Sequence, residues 1–318
     1  MAIDLRKTYP IRLLVVRDKA EMGKFAAHDI RNKLDQGTNA HGGFATGSTP
    51  KPAYRALLDM HARGALNIEG LTTWNLDENI IDRTVLERFP QFASELYVNF
   101  MAGNLFDGLG ISGDRRNIPD WKAKDPYAEC IRFESKIRQN RLKFQILGMG
   151  PTDEKDLGAH IGFCESGTPF DSVTHVVELT QRTRVANSRM YMTDQDIVLL
   201  GLAKDEDPFQ RIKSGTWTEV QLNHFYTEVL PRSPKHAMTM GIGTILGVSD
   251  SLLLLATGKS KAVGLRRTLL EPPTTDIPAS AINYHPNTLV IADLDAVSEL
   301  HPSMRVPGYQ TLRFGRSA

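Results

Sequence analysis

Residues 251–271 read "SLLLLATGKSKAVGLRRTLLE", and how this stretch is read decides the fold. The run "SLLLLATG" is short, apolar and closed by a glycine, the pattern of a buried strand. "KSKAVGLRRTLLE" carries apolar residues at helical spacing, and "NTLVIADLD" at 287–295 returns to a short apolar run. Strand, helix, strand is the repeating unit of a parallel sheet. The same alternation runs outward through the chain. "IRLLVV" (Ile11–Val16) precedes a helical "KAEMGKFAAHDIRNKL", and "GGFATG" precedes a helical "PAYRALLDMHARG". "LTTWNLDE", a helix in "ASELYVNFMAGNLF", and the strands "FQILGM" and "HVVEL" follow. After a long interruption "HAMTMGIG" resumes the series. The expectation is an α/β fold, a parallel sheet covered by helices on both faces, with ligands bound beyond the carboxyl ends of the strands.

Composition narrows the functional classes. The chain has 318 residues, a formal net charge of +1, 24% charged and 41% hydrophobic residues. That balance is ordinary for a globular α/β chain and gives no electrostatic reason to expect nucleic acid or an anionic membrane as partner. No apolar run approaches the ~20 residues that span a bilayer. The opening "MAIDLRKTYPIRLLVV" lacks the order of a secretory signal. Cys130 and Cys164 are the two cysteines, too few for a disulfide framework and wrongly spaced for zinc. The reading is a soluble cytoplasmic protein with reduced thiols.

Polar residues collect where strands should end. "ATGSTPKPAY" follows a strand and opens a helix; Gly47 permits a tight turn, and Ser48 and Thr49 add hydroxyls to the unpaired N–H groups of a first helical turn. That is either an anion cradle suited to phosphate or a hydroxyl-capped helix start; the Gly-Lys-Ser/Thr ending of a nucleotide-binding P-loop is missing. "NLDEN" places Asp77 and Glu78 side by side, and neighbouring strand residues face opposite ways, so one can act as a base in the crevice while the other holds a loop. "DLGAHIGFCE" (156–165) brings His160 and Glu165 after the strand "FQILGMG". "TRVANSRMY" carries Arg184 and Arg189, either of which could grip a phosphate. Lys259 and Lys261 in "TGKSKA" sit at a helix start, where cations oppose the dipole unless an anion is bound or water solvates them.

Taken in order, "GGFATGSTPKPAYRALLDMHARG", "NLDE", "GAHIGFCE", "TRVANSR", "TMGIGTIL", "GKSKA" and "HPNTLVIAD" resemble the glucosamine-6-phosphate deaminases, also called isomerases, over most of the chain. The resemblance implies one domain over residues 1–318, a Rossmann-like three-layer α/β/α sandwich with a mostly parallel sheet. It implies conversion of an amino-sugar phosphate and water to a ketose 6-phosphate and ammonia, with no metal or organic cofactor. Asp77 matches the family's general base, His160 the histidine that assists ring opening, and Glu165 the carboxylate that orients it. Gly47, Ser48, Thr49, Arg189 and Lys261 match the phosphate grip. The expected partner is a small amino-sugar phosphate, with a homo-oligomer allowed.

Two departures from the family pattern stand out. The family usually has Asp-Gly-His where this chain has Gly158, Ala159 and His160, so an aspartate is missing, and Asp153 or Asp156 could stand in for it. The stretch from about 193 to 235, holding Trp217, His224, Phe225 and Tyr226, is much longer than the family's connection. It is read as a surface excursion or oligomer contact on one side, or a lid or substrate-selecting wall on the other. Cys164 and His285 are read as packed, structural residues, and "GDRRNIPDW" as a solvated loop. A non-catalytic sugar-phosphate sensor and a 6-phosphogluconolactonase-like hydrolase are the rival readings.

Overall fold

Among the described residues there are ten strands: β1 (Ile11–Val16), β2 (His41–Phe44), β3 (Thr72–Asn75), β4 (Asp77–Ile80), β5 (Arg116–Asn117), β6 (Leu142–Gly148), β7 (His175–Glu178), β8 (His236–Thr239), β9 (Leu252–Ala256) and β10 (Thr288–Asp293). This computed structural model describes residues 4–203, 206 and 208–305. Seven strands make one sheet in the order β1-β10-β9-β6-β2-β3-β5, and every pairing in it is parallel. The stretch 251–271 takes its expected place: β9 is buried at every residue, because a strand inside a parallel sheet has helices over both faces.

The helices are α1 (Lys19–Leu34), α2 (Lys51–Ala62), α3 (Arg83–Arg88), α4 (Tyr97–Met101), α5 (Pro126–Ile137), α6 (Gln181–Asn187), α7 (Asp194–Leu200), α8 (Pro208–Ser214), α9 (Glu219–His224), α10 (Ile242–Val248) and α11 (Ala262–Leu270). The chain lays down β2, β3 and β5 in one direction, then returns to the other side of β2 with β6, β9 and β10. Right-handed crossovers place the helices before and after such a reversal on opposite faces. Accordingly α1 and α2 pack against each other, while α10 and α11 share contacts with the 3₁₀ turn Pro278–Tyr284. The reversal lies between β2 and β6, where open sheets of this kind hold their ligands.

Three strands do not join the parallel sheet. β7 and β8 pair antiparallel in a separate three-stranded sheet, in the order β4-β8-β7. The cause is visible at Leu76. Its N–H still bonds Phe44 O at 3.2 Å in the main sheet, but its carbonyl accepts from Met240 N at 2.7 Å. The chain therefore switches sheets within one residue, and "LTTWNLDE" is two strands with Asp77 at the first position of the second.

The stretch 193–235 is helical rather than a loop. Thr193 and Asp196 form a reciprocal cap on α7, and Thr218 and Gln221 form another on α9. Gly201 closes α7 at φ 61°. These helices bury a small core of their own, with Leu200, Leu202, Trp217, Phe225 and Val229 packed on Val185 and Met192. Trp217 Nε1 donates to Leu200 O at 2.8 Å, and Asp196 accepts from His224 Nε2 at 2.7 Å and Arg232 Nη1 at 2.6 Å. Burial works to raise the Asp196 pKa, yet the bonds from Thr193, His224 and Arg232 prevail and bring it down to about 2. No helix among the described residues is long and apolar enough to cross a membrane.

Candidate active site

A cavity of about 520 Å³ opens at the β2–β6 reversal. Its wall takes Ala45–Thr49 after β2, Leu76 and Asp77 at the switch of sheets, Gly148–Pro151 and His160 after β6, Lys261 after β9, and one side of α6. Gly47, Ser48, Thr49, Asp77, His160, Glu165 and Lys261 thus meet in one place. Gly47 takes φ 101°, a conformation that favours glycine, and turns the chain into α2. That helix is capped by Pro50 without a side-chain bond, so capping is not what occupies the Ser48 and Thr49 hydroxyls.

The adjacent carboxylates divide as strand geometry requires. Glu78 is fully buried and accepts three backbone bonds: from Asn79 N at 2.8 Å and Tyr97 N at 2.9 Å on Oε1, and from Val98 N at 2.8 Å on Oε2. It pins the start of α4 and so brings Tyr97 to the cavity wall, its ring stacked on Phe163 with centroids 6.0 Å apart. Asp77 faces the cavity, and its Oδ1 has no hydrogen-bond partner among the described residues. Burial, and then the neighbouring Glu78, push its carboxyl up to about 8. Gly162 keeps the approach open: at φ 56°, an added Cβ would lie 2.8 Å from Thr239 Oγ1 and 3.5 Å from Asp77 Oδ2.

His160 packs its ring against Gly150, where an added Cβ would stand 2.3 Å from the imidazole. Burial lowers its pKa to about 4; Glu165 opposes the shift, while Lys261 and Arg182 add to it. The imidazole is therefore neutral at physiological pH. Glu165 accepts from Thr180 Oγ1 at 3.2 Å and from Thr183 Oγ1. Lys261 is brought down to about 8 by burial and by Arg182.

The arginines of this segment lie apart from one another. Arg189 does not line the cavity; it lies half-buried in the turn after α6, and its charge helps hold the Glu206 carboxyl below its ordinary value, after the larger effect of the Arg211 bond. Arg184 donates to Leu230 O at 3.0 Å. Arg182, one residue before "TRVANSR", lines the cavity instead. Three arginines within eight residues were a signal, but only the packing of α6 tells which of them faces inward. Tyr97, Thr180, Thr183 and Asn187 line the cavity without having been singled out, Tyr97 because nothing local links it to Glu78 nineteen positions earlier.

The missing aspartate has a backbone explanation. Gly158 adopts φ 121°, and a Cβ there would stand 2.7 Å from Pro151 O, so this backbone excludes a side chain. Ala159 follows at φ 56°. Asp153 lines the cavity and accepts from Lys155 N at 2.8 Å and Leu157 N at 2.9 Å; Asp156 is exposed and lines no part of it. Cys164 is buried, its thiol pushed up to about 12 by burial and Asp77, and donates to Met240 O at 3.3 Å. His285 is buried against Ser249 O and Asn287 O. Both read as packing residues. Among the described residues no group of three His, Cys, Asp or Glu side chains is placed to hold a metal ion.

No protein-family model matches the chain. It is 32% identical over 293 residues to a glucosamine-6-phosphate deaminase of Clostridioides difficile, covering 92% of this chain and 98% of the relative. A glucosamine-6-phosphate deaminase of Shouchella clausii is 31% identical over 289 residues, covering 91% and 97%. Among solved structures, a monomeric glucosamine-6-phosphate deaminase described as a missing link of the NagB superfamily matches with a TM-score of 0.70 at 31% identity, over 90% of this chain and 99% of the other. A 6-phosphogluconolactonase from Trypanosoma cruzi matches with a TM-score of 0.61 at 16% identity, over 92% and 98%, a likeness of fold alone.

Proposed function

We propose how the site works from one premise: the chain belongs to the glucosamine-6-phosphate deaminase family. It is an enzyme of that type, converting an amino-sugar 6-phosphate and water to a ketose 6-phosphate and ammonia. The observation that carries the assignment of roles is the contrast at the sheet switch: Glu78 is bonded to three backbone N–H groups, while its neighbour Asp77 faces the cavity with Oδ1 unpartnered among the described residues.

In this reading Gly47, Ser48, Thr49 and Lys261 hold the phosphate and so fix the sugar's register. His160, neutral and packed on Gly150, relays the proton between ring oxygen and C1 hydroxyl as the ring opens, and Glu165, held by Thr180 and Thr183, orients that exchange. Asp77 removes the C2 proton beside the open aldehyde and returns it to C1. The resulting C2 imine takes up water, and the C–N bond breaks to release ammonia and leave the ketose. Asp77 must be ionised to act, and its pKa of about 8 puts that requirement near the working pH. The substrate's ammonium group beside it favours the carboxylate.

Ammonia release from glucosamine 6-phosphate, its galactosamine epimer and unphosphorylated glucosamine tests the reading. Release from a phosphorylated amino sugar, with the unphosphorylated one far poorer, is the expected result. Tight binding without ammonia release would replace it with the sensor reading, which the empty position at Gly158 favours. Hydrolysis of 6-phosphogluconolactone instead would replace it with the hydrolase.

A further inference from the structure

We propose that Arg182 is the second cation of the phosphate grip, and that the helical stretch 193–235 serves the site by holding it there. The inference rests on the amino-sugar phosphate reading above and assigns that stretch a task.

Arg182 lines the same cavity as Lys261 and the Gly47–Thr49 turn. Its Nη2 donates to Thr152 O at 2.8 Å, and its guanidinium lies over the Phe209 ring, 5.2 Å from the centroid. Phe209 belongs to α8, and Lys213 of the same helix pairs with Glu154 at 2.9 Å, two residues beyond Thr152. One helix therefore touches both the arginine and the cavity-edge segment to which the arginine is bonded. The Lys213–Glu154 pair is exposed and contributes little energy; it marks where α8 lies. The aromatic contact is different in kind. It fixes the plane of the guanidinium without using an N–H group, so the donors not bonded to Thr152 O stay available to an oxyanion.

The site needs such a group. A phosphate monoester carries between one and two negative charges at neutral pH. Lys261 alone leaves part of that charge uncompensated, and a buried lysine is under pressure to lose its proton, whereas an arginine keeps its charge. Of the two arginines inside "TRVANSR", Arg184 donates to Leu230 O in the helical stretch, and neither is among the residues that line the cavity. Among the described residues, Arg182 is the arginine that lines the cavity.

The test uses the full chain at pH 7, with glucose 6-phosphate and inorganic phosphate as probes in calorimetry and glucosamine 6-phosphate in steady-state kinetics. Arg182→Gln is expected to weaken both probes about tenfold to a hundredfold, the loss falling on KM rather than kcat. Arg182→Lys should recover part of it. Phe209→Leu, which keeps the helix apolar but removes the ring, should weaken both probes about twofold to fivefold in the same direction. Should Arg182→Gln fail to fold by thermal melting, Arg182→Lys and Phe209→Leu carry the decision. Probe affinities matching the parent protein in the folded variants would overturn the inference, even if ammonia release is intact. A parent protein that releases no ammonia, yet loses phosphate affinity in these variants, would keep the inference and remove the deaminase reading.

Discussion

The crevice at the strand ends and the helical stretch 193–235 are built on opposite plans. In the crevice, polar groups come from loops fixed by a fully buried parallel sheet, and the sheet needs only short apolar runs to form. In the helical stretch no long element exists: α7, α8 and α9 have seven, seven and six residues, too short to persist in isolation. They are held by two capping boxes, the Asp196 cluster and a core around Trp217 and Phe225. One region is specified by pattern and the other by particular contacts. Single substitutions should therefore act globally in the first and locally in the second.

The largest effect expected from this contrast lies at Trp217. Trp217→Ala should cost about 3–5 kcal/mol within the helical stretch, by emptying its core and orphaning Leu200 O. Hydrogen exchange should show faster opening in α7 and α9 with β9 and β10 still protected. Uniform loss of protection across both regions would break the comparison.

A smaller effect, on the order of a few kcal/mol, concerns Asp77 and pH. Its folded pKa of about 8 lies above the ordinary carboxylate range, so the folded chain holds this proton more tightly than the unfolded one. The stability it contributes is full below the ordinary range and is lost as pH rises through about 8. Asp77→Asn, which cannot ionise, should therefore melt above the parent protein near pH 9, with the gap closing toward pH 4. A gap that does not change with pH would sink this account of the buried carboxyl.

The smallest effect is at Gly158. Gly158→Asp restores the family's residue type on a backbone that excludes it, and should cost about 1–3 kcal/mol without raising the rate of ammonia release. A gain in turnover would show that the 156–160 segment can adopt the family's conformation.

Much of the first region was legible in the sequence. "SLLLLATGKSKAVGLRRTLLE" gives β9, the Lys261 turn and α11 in order, because continuous apolar runs and helical spacing are local properties. The split of Asp77 from Glu78 was legible too, since alternation along a strand is local. The antiparallel sheet was not, because it depends on one residue, Leu76, bonding to Phe44 through its N–H and to Met240 through its carbonyl. Nor was it legible which of Arg182, Arg184 and Arg189 lines the cavity, because spacing within the motif does not decide it. The helices of 193–235 had local signals in Thr193 and Thr218, but their length hid them behind the appearance of a loop.

If Asp77 carries the C2 proton, exchange of that hydrogen in heavy water must depend on it. Glucosamine 6-phosphate incubated with the parent protein should acquire deuterium at C2 or pass it to C1 of the ketose as ammonia is released. Asp77→Asn should slow both by about 10²–10⁴-fold while glucose 6-phosphate still binds through Lys261 and the Gly47–Thr49 turn. Exchange at the parental rate in the folded variant would contradict the claim and move the base to another residue of the cavity.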